Sequence, residues 1–147
     1  MATGKGNTNS ILFLEAIFQA TFSEIASLLA NAGGSPLTSL YVSLHTANPG
    51  ATGNQTTSEA AYTSYARVAV ARTSGGWAIT GETISNVAAV TFPAATGGTE
   101  TETYAGIGTL TTGTGNLLWF GALTTPLAVS SGITPSFAIG ALTITES

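Results

Sequence analysis

Residues Ser39–Gly50 read SLYVSLHTANPG. Leu40, Val42 and Leu44 alternate with Tyr41, Ser43 and His45, the period of a strand with one face on a core. Asn48-Pro49-Gly50 ends the run with residues suited to a tight turn. The chain's single histidine stands on the polar face of this strand. This stretch therefore sets the fold class and also poses the question of catalysis.

Downstream, the same kind of pattern recurs. After a long loop of small residues, Ala47–Ser64, come YARVAVAR (Tyr65–Arg72), WAIT (Trp77–Thr80) and ISNVAAVTFP (Ile84–Pro93). YAGIGTLTT (Tyr104–Thr112), NLLWFGALTT (Asn116–Thr125), LAVSS (Leu127–Ser131) and SFAIGALTIT (Ser136–Thr145) complete the set. In the last, Phe137 and Ile139 share one parity and Leu142 and Ile144 the other, so a bulge at Gly140 would return all four to the core. About eight short strands separated by turn signals, with no helical pattern between them, predict a mainly β protein. The expected architecture is an antiparallel, jelly-roll-like β-sandwich over residues 37–146.

Upstream, Ile11, Leu14, Phe18, Phe22, Ile25 and Leu29 recur at three- and four-residue spacing, predicting one N-terminal α-helix over 11–32. A membrane span would bury Glu15, Gln19 and Glu24 in hydrocarbon, and Glu15 interrupts the apolar centre a signal peptide needs. Leu12, Phe13, Ile17 and Leu28 widen the apolar stripe beyond what one core contact uses. Phe13, Ile17, Phe18, Phe22 and Leu28 are accordingly the candidate subunit-interface residues. Residues 1–10, small and polar, are expected to form a flexible arm, leaving 11–147 as a single domain.

Composition points the same way. The 147 residues include seven Glu, no Asp and only Lys5, Arg67 and Arg72 as permanent cations, while Thr numbers 26 and Gly 18. Charged residues make up 7%, against roughly 25% in an ordinary soluble domain. A surface this poor in charge is expected to be covered by copies of the chain or by a larger assembly. The net charge of −4 argues against nucleic acid and anionic membrane as partners. Without cysteine there is no thiol nucleophile and no Cys-based zinc site.

No catalytic set, metal site or cofactor is expected. His45 has no Asp to orient it, and no G-x-S-x-G elbow is present; a strand-end histidine, exposed or hydrogen-bonded, is the expectation. Glu100 and Glu102 share one face by period two and form a carboxylate pair that could serve glycoside hydrolysis, although a solvated sheet edge or a subunit contact is the preferred reading. Arg67 and Arg72 flank an apolar strand, each able to pair with a Glu. Trp77, Trp119 and Phe120 read as core. Tyr62 and Tyr65, beside the long loop, are the candidate receptor- or carbohydrate-contacting residues.

The order LYVSLHTANPGATGNQ, YARVAV, NVAAVTFP, YAGIG and GNLLWFGALTTPLAVSSGITPSFAIGALTIT resembles small virion proteins of tailed bacteriophages, labelled tail-fibre or minor structural proteins. The resemblance covers Leu37–Thr145; Asn48 stands where such relatives more usually carry Asp. It implies a structural subunit of the virion, assembled in the host cytoplasm, that associates with itself and with major capsid or tail proteins. A trimer is the oligomer it suggests. The short chain, without a repetitive shaft, leans toward decorating or cementing a capsid; the family label leans toward a tail or neck appendage. A receptor-binding tail-fibre module in contact with the host surface is the alternative.

Overall fold

The computed structural model describes residues 11, 13–19 and 37–145. The arm expected over 1–10, and the rest of the expected helix with Phe22 and Leu28, lie outside the described residues. The described N-terminal piece is helical, with Glu15–Gln19 wound in the wider π form. Nine strands follow among the described residues. They are β1 (Ser39–His45), β2 (Val68–Ala71), β3 (Trp77–Thr80), β4 (Thr83–Asn86), β5 (Val90–Thr91), β6 (Thr99–Gly108), β7 (Leu117–Ser130), β8 (Ser136–Phe137) and β9 (Thr143–Thr145). The fold is mainly β and its described pairings are antiparallel, the class that alternation and turn spacing predict.

The described residues form two compact units. One contains Ser39–Val70 and Val90–Phe137. Its four-stranded sheet has the order β2-β1-β6-β7. Val42 pairs with Ile107, and Ile107 with Trp119, so the apolar parity of β1 continues across three strands. Leu40, Val42, Leu44 and Ile107 are buried there. On β7, Leu127 pairs with Glu102 but Ala122 pairs with Tyr104. Leu123–Pro126 is thus inserted opposite Thr103 alone, and Pro126 falls where its missing N–H interrupts no ladder bond. β5 pairs with β8 nearby. An aromatic run links these pieces: Tyr62 edge-on to Tyr65 at 5.3 Å, Tyr65 stacked on Phe92 at 6.2 Å, Phe92 edge-on to Phe137 at 6.1 Å.

The other unit takes the helical piece, Ala71–Ala89 and the chain from Ala138 onward. Its sheet has the order β3-β4-β9. Trp77 is fully buried, and the Phe18 ring meets it edge-on at 4.8 Å. The Gln19 side-chain amide donates to the Trp77 carbonyl at 2.9 Å. Arg72 donates to the carbonyls of Ala16, Ile17 and Leu37. The helical piece is therefore fastened by one aromatic contact, one side-chain amide and a cation on the Ala16 and Ile17 carbonyls.

Two expected strands are each divided. ISNVAAVTFP breaks after Asn86, a buried residue whose amide donates to the carbonyls of Ala88 and Ala138 and accepts from the Leu142 N–H. Those bonds turn the chain, so β4 and β5 enter different sheets. SFAIGALTIT likewise separates into β8 and β9. Gly140 lies in a turn rather than a bulge, its N–H bonded to the Asn86 carbonyl, and Ile139 is 71% exposed instead of returning to the core. In the opposite direction, NLLWFGALTT and LAVSS are one strand, β7, joined across the insertion.

Candidate functional site

The polar groups that chemistry would need converge on β1. Ser43 and His45 are both fully buried, and of the two expectations for His45, exposed or hydrogen-bonded, the structure shows the second. The long loop returns along β1: Thr46 N–H bonds to Ser58, Ala60 N–H bonds to Leu44, and His45 bridges Glu59. Asn48 starts that return by accepting the Gly50 N–H at 2.9 Å, a turn Asn forms as Asp does.

His45 Nδ1 lies 2.9 Å from the Thr57 carbonyl and Nε2 lies 2.9 Å from Ser43 Oγ. A carbonyl only accepts, so Nδ1 carries the proton and Nε2 accepts from the Ser43 hydroxyl. This is the contact of a nucleophile with its base, yet both residues are sealed and Gly106 closes over them. A Cβ at Gly106 would lie 2.7 Å from His45 Nε2 and 2.8 Å from Ser43 Oγ. Beside them, Gln55, also buried, accepts from the N–H groups of Thr109 and Leu110 and donates to the Leu110 carbonyl. Gly108 leaves it room, since a Cβ there would fall 2.2 Å from Gln55 Cδ.

Arg67 completes the cluster. Its Nε and one terminal nitrogen donate to the two oxygens of Glu59 at 2.5 and 2.7 Å. The remaining donors reach the Leu110 and Gly113 carbonyls at 2.9 and 2.8 Å. Tyr65 accepts the Leu44 N–H and donates to Glu59. Burial pushes the Tyr65 hydroxyl far above its ordinary range, with Glu59 adding to the rise. Of the two arginines, Arg67 thus meets the expected glutamate, and Arg72 meets carbonyls instead.

Tyr62 and Tyr65, the candidate receptor contacts, are brought together, but their hydroxyls are engaged inside the protein. Tyr62 is 3% exposed and donates to the Pro93 carbonyl at 3.1 Å. Among the candidate interface residues, Phe18 is buried against Trp77, Ile17 is half-buried and Phe13 is exposed.

Glu100 and Glu102 do not form the solvated edge expected of them. Glu100 Oε1 accepts the N–H groups of Ala61 and Tyr62 at 2.9 and 2.8 Å. Glu102 is 0% exposed and neither of its oxygens has a well-formed hydrogen bond. Burial foremost, then hydrogen bonding and charge from Glu100, push its carboxyl up to about 8. A carboxyl without an accessible oxygen is not placed to protonate a glycoside. Threonine and glutamate alternation carried no signal of this, because polar alternation on a strand reads as solvent-facing. Among the described residues no three His, Cys, Asp or Glu side chains gather as metal ligands would.

Residues 23–145 match the family model of podophage GP4 fiber I protein gp80. The chain belongs to this family. It is a structural fibre protein of a bacteriophage, a component of the virion that associates with other virion proteins. No curated protein matches its sequence. The polar cluster of this fibre protein braces the fold by its hydrogen bonds, tying the returning loop and the 109–116 turn to β1 and β6.

The brace titrates at its histidine. Burial lowers His45, outweighing the Thr57 carbonyl and Glu59, which favour its charged form. An unfolded histidine takes a proton near 6.5 while the folded ring resists, so its contribution is complete above that pH and lost as pH falls below it. Glu102 acts oppositely over part of that range. The clean comparison is therefore Glu102→Gln with and without His45→Gln. Urea unfolding from pH 7 to 5 should show an acid loss, at most about 1.4 kcal/mol per pH unit, only in the protein that keeps His45.

Proposed function

We propose that this fibre protein works by contact alone, burying uncharged surface against copies of itself and against neighbouring virion proteins. The observation that carries this reading is the stretch from Thr103 to Thr145, which holds no Asp, Glu, Lys, Arg or His. Leu110, Leu118, Phe120, Ile133 and Ile139 are nevertheless exposed on it. Leu118 and Phe120 alternate onto one face of β7, and Phe13 adds an exposed aromatic ring in the helical piece. Large apolar side chains left outward on a surface with little charge to keep it soluble are the mark of an association surface. A homotrimer is the assembly we favour, each contact of ordinary size burying about 1,600 Å² in total.

The family description supports a place on the tail or neck over the capsid lattice. Sedimentation of the purified chain should give an oligomer; a stable monomer at micromolar concentration would remove the proposal. Copy number per virion then separates the two locations. Few copies relative to the major capsid protein fit a tail or neck appendage, and copies in proportion to it fit capsid decoration or cementing.

A further inference from the structure

We propose that Glu100 and Glu102 form a proton-dependent latch, in which a neutral Glu102 carboxylic acid lies against the Glu100 carboxylate and loss of its proton releases Ala61 and Tyr62 from β6. The two side chains share a face of β6 by period two. Glu100 uses one oxygen to hold two adjacent N–H groups of the returning loop, bonds that are strongest to an ionised carboxylate. Glu102, two residues on, is fully enclosed with both oxygens short of a well-formed partner.

Among the described residues no cation offsets the pair. Arg67 is spent on Glu59 and two carbonyls, and Arg72 on three carbonyls. Lys5 lies outside the described residues. The groups that face Glu102 are few. On its own strand there is Glu100; from the loop there is Tyr62, whose hydroxyl burial and both glutamates push up to about 12, so it stays neutral. The opposing β7 segment Leu127–Ser130 has no titratable side chain. His45, at the end of β1, responds to Glu59 and Arg67 rather than to Glu102.

Glu102 is enclosed and Glu100 beside it is half-buried; a charge on Glu102 would lose its hydration and be repelled by the Glu100 carboxylate. The least costly relief is to let water reach Glu102, which requires the 61–64 segment to lift. That segment is otherwise held to the chain before β6 by the Thr63–Gly97 bridge and the Ser64–Thr96 hydroxyl contact. The folded protein binds a proton here that the unfolded chain releases near 4.5, so the contribution is lost as pH rises from 4.5 through about 8.

The test uses the intact chain. Urea unfolding between pH 6.5 and 8.5 should show the folding constant of the native sequence falling by up to roughly tenfold per pH unit; Glu102→Gln should flatten that fall. Carboxyl ¹³C resonances should show one glutamate titrating far above the others. Hydrogen exchange, corrected for its intrinsic pH dependence, should show Ala61 and Tyr62 amides losing protection before those of Val42 and Ile107. Equal slopes in both proteins, or no high-titrating glutamate, overturn the proposal. So does uniform loss of protection, which would make Glu102 a buried acid without a latch. So does stabilisation by millimolar Ca²⁺ at pH 8.5 that Glu102→Gln abolishes, since a cation rather than a proton would then fill the site. Should Glu102→Gln fail to fold, the carboxyl resonances and the exchange pattern of the native chain decide.

Discussion

Replacing Arg67 with leucine should destabilise the protein by about 3–5 kcal/mol, the cost of stripping one partner from a buried ion pair. The guanidinium has four bonds to lose. Two go to Glu59, which would be left charged in a nearly enclosed place, and two go to the Leu110 and Gly113 carbonyls. Against a typical total stability of about 5–15 kcal/mol, such a loss brings the fold close to its limit. Arg67→Lys should recover only part of it, because an ammonium does not match the planar fork that meets both oxygens of Glu59. Adding Glu59→Leu to Arg67→Leu should cost less than the sum of the two single changes, since the stranded charge goes with its partner. Urea midpoints of the four proteins at pH 7 check this; additive losses would mean that the pair contributes nothing as a pair.

Trp77→Ala is the second large change, expected to cost about 3–5 kcal/mol for removing a fully buried indole. Its effect should also have a direction. The indole is the ring that Phe18 meets edge-on, while the Gln19 amide holds only the Trp77 backbone carbonyl. The helical piece should therefore lose protection from hydrogen exchange well before β1 and β6. Trp77→Phe should be milder, because the indole N–H has no acceptor among the described residues and its loss breaks no bond there. Equal protection of the helical piece in Trp77→Ala would show that Arg72, with its contacts to the Ala16 and Ile17 carbonyls, suffices to hold it.

Much of this was legible from residues alone. The alternation of Leu40, Val42 and Leu44 placed β1, and turn spacing gave the mainly β class. Either arginine was able to pair with a glutamate; Arg67 does so with Glu59, and Arg72 meets backbone carbonyls. What the sequence concealed lies in backbone partners. His45 is held by the carbonyl of Thr57 and covered by a loop that folds back, and no side-chain pattern announces either. Asn86 divides a run that reads as one strand, because its amide bonds to Ala138 and Leu142, far along the chain. Glu102 was misplaced for a related reason: period two tells which side chains share a face, and only the chain that covers that face tells whether water reaches it.

The charge-free run from Thr103 to Thr145 has a consequence for the medium in which a phage must survive. Contacts of the proposed kind through Leu118, Phe120 and their exposed neighbours would release no counter-ions from this run, which carries no fixed charges for dissolved ions to screen. Attachment through these residues would not be weakened by salt as a charged contact is, and salts excluded from apolar surface would strengthen it, so it would hold from fresh water to brine.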